Sequence, residues 1–110
     1  MAQLKISEVE RSEDEKHHIV LALDGEIDPK TVNKLKSNLT KIVDKGFLHV
    51  ILDMEHTSYI NSSALAVLVK FAHAFRNNGG GIAISSVNPR VKLPFEMLGL
   101  LVFFQFFDSV

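Results

Sequence analysis

Leu48-His49-Val50-Ile51-Leu52-Asp53 is a short, almost unbroken apolar run with helix-patterned sequence on either side. It is too apolar for a strand with one wet face and too short for an ordinary helix. It therefore reads as a central strand covered on both faces. Such a strand needs neighbours and a covering layer, and the rest of the chain has the patterns to provide them.

Leu4, Ile6 and Val9 alternate with polar residues, as in a half-exposed strand. The charged run 11–17 reads as a turn, and 18–23 as a second strand, antiparallel to the first because the connection is short. Asp24-Gly25-Glu26-Ile27 reads as a loop. Asp28 is placed to cap a helix and Pro29 to fill its first turn, and Val32, Leu35, Leu39, Ile42 and Val43 follow at helical spacing up to a stop at Gly46. Past the central strand, 55–61 reads as a polar loop and 62–77 as a helix ended by Gly79-Gly80-Gly81. A strand is expected over 82–87, a third helix from the Asn88-Pro89 cap through Leu98, and a last strand over 102–107. Pro94, inside the third helix, should kink or divide it. The order β-β-α-β-α-β-α-β, with helical crossovers between the later strands, predicts an α/β domain over residues 1–110 with parallel neighbours in a mixed sheet.

Charge and composition narrow the function classes. Twelve basic and thirteen acidic side chains leave a formal charge of -1, and no basic block marks a nucleic-acid footprint. Cysteine is absent, which removes disulfides, thiolate nucleophiles and cysteine-ligated metal. The N-terminus turns charged at once, and no run approaches the ~18 apolar residues of a membrane span. A cytoplasmic protein with no membrane span and no direct nucleic-acid contact is expected.

Three catalytic or ligand readings fail on local grounds. Ser62, His56 and Asp53 have the residue types of a nucleophilic triad, but no Gly-x-Ser-x-Gly elbow supports them. The five histidines lack metal-ligand spacing: His17 and His18 are adjacent, His49 and His56 flank a strand, and His73 falls on the polar side of a helix. Gly79 to Gly81 follow a helix and precede a strand, whereas a phosphate loop precedes a helix. No catalytic residue, cofactor or metal is expected, nor is nucleotide binding or hydrolysis.

The segment Ser58-Tyr59-Ile60-Asn61-Ser62-Ser63-Ala64-Leu65-Ala66 stands apart. A serine at such a junction ordinarily caps the helix. Here, however, Ala64, Leu65, Val67, Leu68, Phe71, Ala72 and Phe75 already fill the core stripe, which leaves Ala66 and Val69 partly outward beside two serines. A phosphoryl group on this helix start would meet the positive end of the dipole and free N–H groups, so the fold could carry it. A partner packed on the same surface could not.

With Leu52-Asp53-Met54 before it, this segment resembles the part of STAS domains that carries a regulatory phosphoserine. Leu23-Asp24-Gly25-Glu26-Ile27-Asp28 resembles the family's Gly-Glu-(Leu/Ile)-Asp loop, Asn77-Asn78-Gly79-Gly80 the end of its second helix, and the stretches 87–92 and 95–100 its third-helix region. The resemblance covers essentially the whole chain. It implies a STAS-like mixed sheet of four to five strands with about three helices packed mainly on one face. It also implies an anti-sigma factor antagonist, in which the unmodified protein binds an anti-sigma factor serine kinase and so releases the sigma factor. Phosphorylation of the first serine of the pair, Ser62, switches binding off, and a metal-dependent serine phosphatase restores it. Gly25, Glu26, Asp28, Asn61, Ser62, Ser63, Ala66 and Val69 are the partner-binding residues this implies. The other reading within the family is a scaffold domain of a signalling or membrane transport complex, without a phospho-switch.

The chain departs from the family pattern in places. Asn61 stands where an aspartate is usual, and Ala64 and Ala66 where glycines are. The sequence stops at Val110, so the C-terminal helix common in relatives is expected to be short or missing. Phe103, Phe104, Phe106 and Phe107 alternate imperfectly, so one strand should not bury all four. Self-association as a homodimer, or a partner on this tail, is the expectation.

Overall fold

The computed structural model describes residues 3–12 and 18–108, so most of the expected 11–17 turn, His17 included, lies outside the described residues. The elements run β1 (Leu4–Arg11), β2 (His18–Ile27), α1 (Val32–Asp44), β3 (His49–Asp53), β4 (Thr57–Ile60), α2 (Ser62–Asn77), β5 (Gly81–Ser85), α3 (Pro89–Met97), a 3-10 turn (Leu101–Phe103) and β6 (Gln105–Phe107). The sheet order is β1-β2-β3-β5-β6; β1 lies antiparallel to β2 and the other pairings are parallel. The STAS-like mixed sheet with three helices is thus the observed architecture.

From β2 through β3 and β5 to β6, every crossover steps in the same direction across the sheet. Right-handed crossovers that never reverse put their helices on one face. The burial of the strands follows from this. Leu21 and Leu23, Val50 and Leu52, and Ile82 and Ile84 point into the core with Leu35, Leu39, Leu68, Phe75 and Phe95 from the helices. The expectation that β3 is covered on both faces is corrected here: Val50 and Leu52 are fully buried, but His49 is exposed and Ile51 and Asp53 only half buried. A five-residue run carries too few positions for its apolar fraction to tell one covered face from two.

Two segments expected as loops are strands. Residues 24–27 extend β2, and Thr57–Ile60 form β4, which pairs with that extension: Gly25 with Thr57, Glu26 with Tyr59 and Ile27 with Ile60. β3 and β4 thus occupy successive lengths of the same edge of β2. Thr57 is buried and its hydroxyl donates to the Leu23 carbonyl at 2.7 Å, which anchors a strand too polar to announce itself. Helix α1 begins later than the Asp28-Pro29 signal suggested. The Asp28 carboxylate accepts from the Lys30 and Thr31 amides and so caps the turn that leads into the helix.

The third helix keeps its expected cap, since Asn88 Oδ1 accepts from Val91 N at 3.0 Å. It runs through Pro94 to Met97 without dividing; one missing donor removes one intrahelical bond. The last strand is shorter than expected, because the chain first makes the 3-10 turn. That turn distributes the four tail phenylalanines. Phe104 is buried, Phe104 and Phe106 meet Phe95 edge-to-face, Phe103 packs on the His73 ring, and Phe107 stays about half open. The larger apolar exposure lies just before the tail, at Leu93, Met97, Leu98, Leu101 and Val102.

Candidate functional site

The start of α2 and the end of β2 are joined by the short strand β4. At this junction Gly25 adopts φ 128, and a Cβ there would lie 2.1 Å from the Gln3 carbonyl oxygen. Glycine alone lets three strands converge: Gly25 N–H donates to the His56 carbonyl, Glu26 N–H donates to the Gln3 carbonyl, and Ser58 Oγ donates to the Gly25 carbonyl. Two residues on, the Ile27 carbonyl accepts from Asn61 N–H at 3.0 Å, which ties the end of β2 to the residue before α2. Gly25, Glu26 and Asp28 are thereby brought beside Asn61, Ser62 and Ser63, although some 35 residues separate the two segments in the chain. Glu26 and Asp28 are half buried, and Asp28 is engaged in its turn.

The cap of α2 is Asn61, where the sequence pointed first to a serine. Asn61 Oδ1 accepts from Ala64 N at 2.9 Å and from Ser63 Oγ at 3.1 Å. The Leu65 amide donates to the Asn61 carbonyl, so the N–H groups of Ser62 and Ser63 have no intrahelical acceptor. Consequently the two serines differ. Ser63 Oγ is spent on the cap, whereas Ser62 is exposed and its hydroxyl has no hydrogen-bond partner among the described residues. An amide is neutral, so the cap adds no negative charge beside Ser62, unlike the usual aspartate.

Along α2, Ala66 is exposed and Val69 half buried, so with Ser62 and His73 they form one outward stripe at i, i+4, i+7 and i+11. The outward positions of Ala66 and Val69 are as the sequence implied. The half-exposed ring of Tyr59, the register partner of Glu26 across β2 and β4, adjoins the site and was not singled out in the sequence. Its mark was a large aromatic in a strand too short and polar to be recognised. Among the described residues no hydrogen bond joins Asp53, His56 and Ser62, and the Asp53 carboxylate instead accepts from the Glu55 amide. No group of three or more metal-ligating side chains is found among the described residues, and no helix there is long and apolar enough to cross a membrane.

The site offers a free hydroxyl at the dipole-positive end of a helix and an acidic segment beside it, with small and apolar side chains leading away along the helix.

Comparison with known proteins gives the family and the fold. Residues 8–110 match the family described as STAS domain. BtrV of Bordetella bronchiseptica, provisionally named an anti-sigma factor antagonist, is 30% identical over 91 residues, covering 83% of this chain and 78% of BtrV. The anti-sigma-B factor antagonist of Staphylococcus aureus is 32% identical over 76 residues, covering 69% of this chain and 70% of that protein. In fold, the chain is similar to the anti-sigma factor antagonist SpoIIAA in its unphosphorylated form, with a TM-score of 0.73 at 18% identity over 96% of this chain and 87% of that one. The phosphorylated form of SpoIIAA from Bacillus superposes with a TM-score of 0.66 at 18% identity, covering 96% and 90%.

Proposed function

Since the chain belongs to the STAS domain family, we propose that it is an anti-sigma factor antagonist whose binding is switched at Ser62. The observation that carries this reading is the division of labour at the start of α2: Asn61 caps the helix, Ser63 supports the cap, and the Ser62 hydroxyl is left exposed and, among the described residues, unbonded. The names of the relatives in B. bronchiseptica and S. aureus support the partner class.

In this reading the unmodified face made by Gly25, Glu26, Asp28, Asn61, Ser62, Ser63, Ala66 and Val69 binds an anti-sigma factor serine kinase in the cytoplasm, and the sigma factor is released. The kinase transfers phosphate to Ser62, and a metal-dependent serine phosphatase removes it. The chain itself acts by binding and turns nothing over. The charge of roughly -1.5 to -2 sits at a helix N-terminus, where the isolated domain tolerates it. In a closed interface the same group loses its hydration and meets Glu26 and Asp28, so binding is lost while the fold persists.

Incubation with the kinase and ATP, followed by mapping of the modified residue, tests the assignment. Phosphate on Ser62 is expected. Phosphate on Ser63 alone would overturn it, and no modification at all would favour a scaffold role within the family.

A further inference from the structure

Strand β4 carries one large side chain into the open. Tyr59 is 50% exposed, although Thr57 and Ile60 at the two ends of the strand are buried. Its ring makes no stacking contact, and its hydroxyl no hydrogen bond, among the described residues. One exposed aromatic is ordinary on a protein surface. What sets Tyr59 apart is how it is held and what stands beside it.

The direction of the ring follows from the register. Partners across a parallel pair share a face of the sheet, and successive residues along a strand point to opposite faces. Ile27 and Ile60 are partners, and both lie in the core beneath the helices. Glu26 and Tyr59, one residue earlier in each strand and also partners, therefore point to the face that carries no helix. Paired strands run about 4.8 Å apart, so the two side chains stand next to each other there. The backbone on either side of Tyr59 is fixed: Gly25 N–H donates to the His56 carbonyl, the Thr57 hydroxyl to the Leu23 carbonyl, and Asn61 N–H to the Ile27 carbonyl. A tyrosine on so fixed a strand has only its side-chain torsions left to immobilise, which makes it a low-cost point of attachment for a partner.

Resting on the reading of the chain as an anti-sigma factor antagonist, we propose that the Tyr59 ring is an anchor for the anti-sigma factor, which grips the helix-free side of the sheet as well as α2. Tyr59 is continuous with the face already assigned: it pairs with Glu26, Ser58 before it bonds to the Gly25 carbonyl, and Asn61 and Ser62 follow within three residues. Ser62, Ala66 and Val69 lie along α2, on the helix side, whereas Glu26 and Tyr59 lie on the other. A partner that touches both sets folds over the strand ends between them. A few central residues carry most of the energy of an interface, and tyrosine is enriched among them. The complementary surface on the partner is an apolar cleft for the ring with a cation at its rim for Glu26.

Calorimetric titration of the unmodified full chain with the purified anti-sigma factor reads the affinity. Tyr59→Ala should weaken binding at least about tenfold, whereas Tyr59→Phe, which keeps the ring, should stay within about threefold of the parent. Val9→Ala, which shortens an exposed apolar side chain on β1, should leave the affinity unchanged. Tyr59 is the only tyrosine in a chain without tryptophan, so a parent chain labelled isotopically at tyrosine gives one set of ring signals in NMR. Those signals should shift on saturation with unlabelled anti-sigma factor, a result that does not depend on whether Tyr59→Ala folds. Tyr59→Ala binding as tightly as the parent, Tyr59→Phe binding as weakly as Tyr59→Ala, or ring signals unmoved at saturation would overturn the inference and leave the Ser62 switch standing. A parent chain that binds no anti-sigma factor would instead overturn the antagonist reading, and the inference with it.

Discussion

Substituting Gly25 with alanine should damage the fold at the point where the switch segment is assembled. The new Cβ would lie 2.1 Å from Gln3 O and 3.0 Å from Gln3 C, so the backbone at Gln3 must move. Two contributions follow. Holding a residue with a side chain at φ 128 costs about 1–3 kcal/mol. Moving the Gln3 carbonyl breaks its 2.8 Å hydrogen bond from Glu26 N–H, at a net cost of about 0.5–1.5 kcal/mol. Together these come to about 1.5–4.5 kcal/mol. With an unfolding entropy of about 2.1 cal/mol/K per residue, a chain of 110 residues then melts roughly 6–19 °C lower. Gly46→Ala is the control, since Gly46 also has positive φ but nothing lies within 4 Å of its added Cβ. It should incur the strain alone. Thermal melts followed by circular dichroism measure both. A Gly25→Ala protein that melts no lower than Gly46→Ala would refute the close approach of Gln3 as the reason for glycine.

Removing the cap with Asn61→Ala should cost about 1 kcal/mol, or roughly 4 °C in Tm, whereas Asn61→Asp keeps an acceptor and should stay close to the parent. Ser85 is fully buried and its hydroxyl has no partner among the described residues, so Ser85→Ala should raise stability by about 1 kcal/mol in the same melts; a loss of that size would show that the hydroxyl is satisfied in solution. The hydrogen bond from Arg11 holds the exposed Glu8 carboxyl below its ordinary value, with the Arg11 charge assisting. A depressed folded-state pKa stabilises above the unfolded value and loses that stabilisation as pH falls through the folded one. In an NMR titration, Arg11→Ala should move the Glu8 midpoint upward, and an unchanged midpoint would contradict the pairing.

What the sequence disclosed depended on how local the cause was. Helix α2 starts at Ser62 and ends at Asn77 as its spacing indicated, and Asn88-Pro89 marked the start of α3, because caps and periodicity act within one turn. Strand β4 was not legible. Its four residues, Thr57–Ile60, are held by pairing to β2 and by the Thr57 bond to Leu23, 34 residues away. Asp28 misled because a turn cap and a helix cap use the same side chain and the same kind of acceptor. The candidate site was put forward on family resemblance. The structure added its local reason, the transfer of capping from serine to Asn61. The exposed apolar surface was anticipated in part: Phe107 is half open, as the tail pattern implied, but more of that surface lies ahead of it. Alternation along a strand could not foresee that a 3-10 turn would tuck Phe104 inward and leave Leu93, Met97 and Val102 outside.

The central claim is that phosphate on Ser62 abolishes partner binding without disturbing the fold. The direct test is the affinity of the purified anti-sigma factor for the unmodified chain and for the same chain phosphorylated at Ser62, measured by calorimetry with circular dichroism of both forms. A penalty of about 3 kcal/mol predicts a loss of more than about 100-fold, with unchanged spectra and with Ser62→Ala binding like the unmodified protein in the presence of kinase and ATP. Undiminished binding by the Ser62-phosphorylated chain would contradict the account.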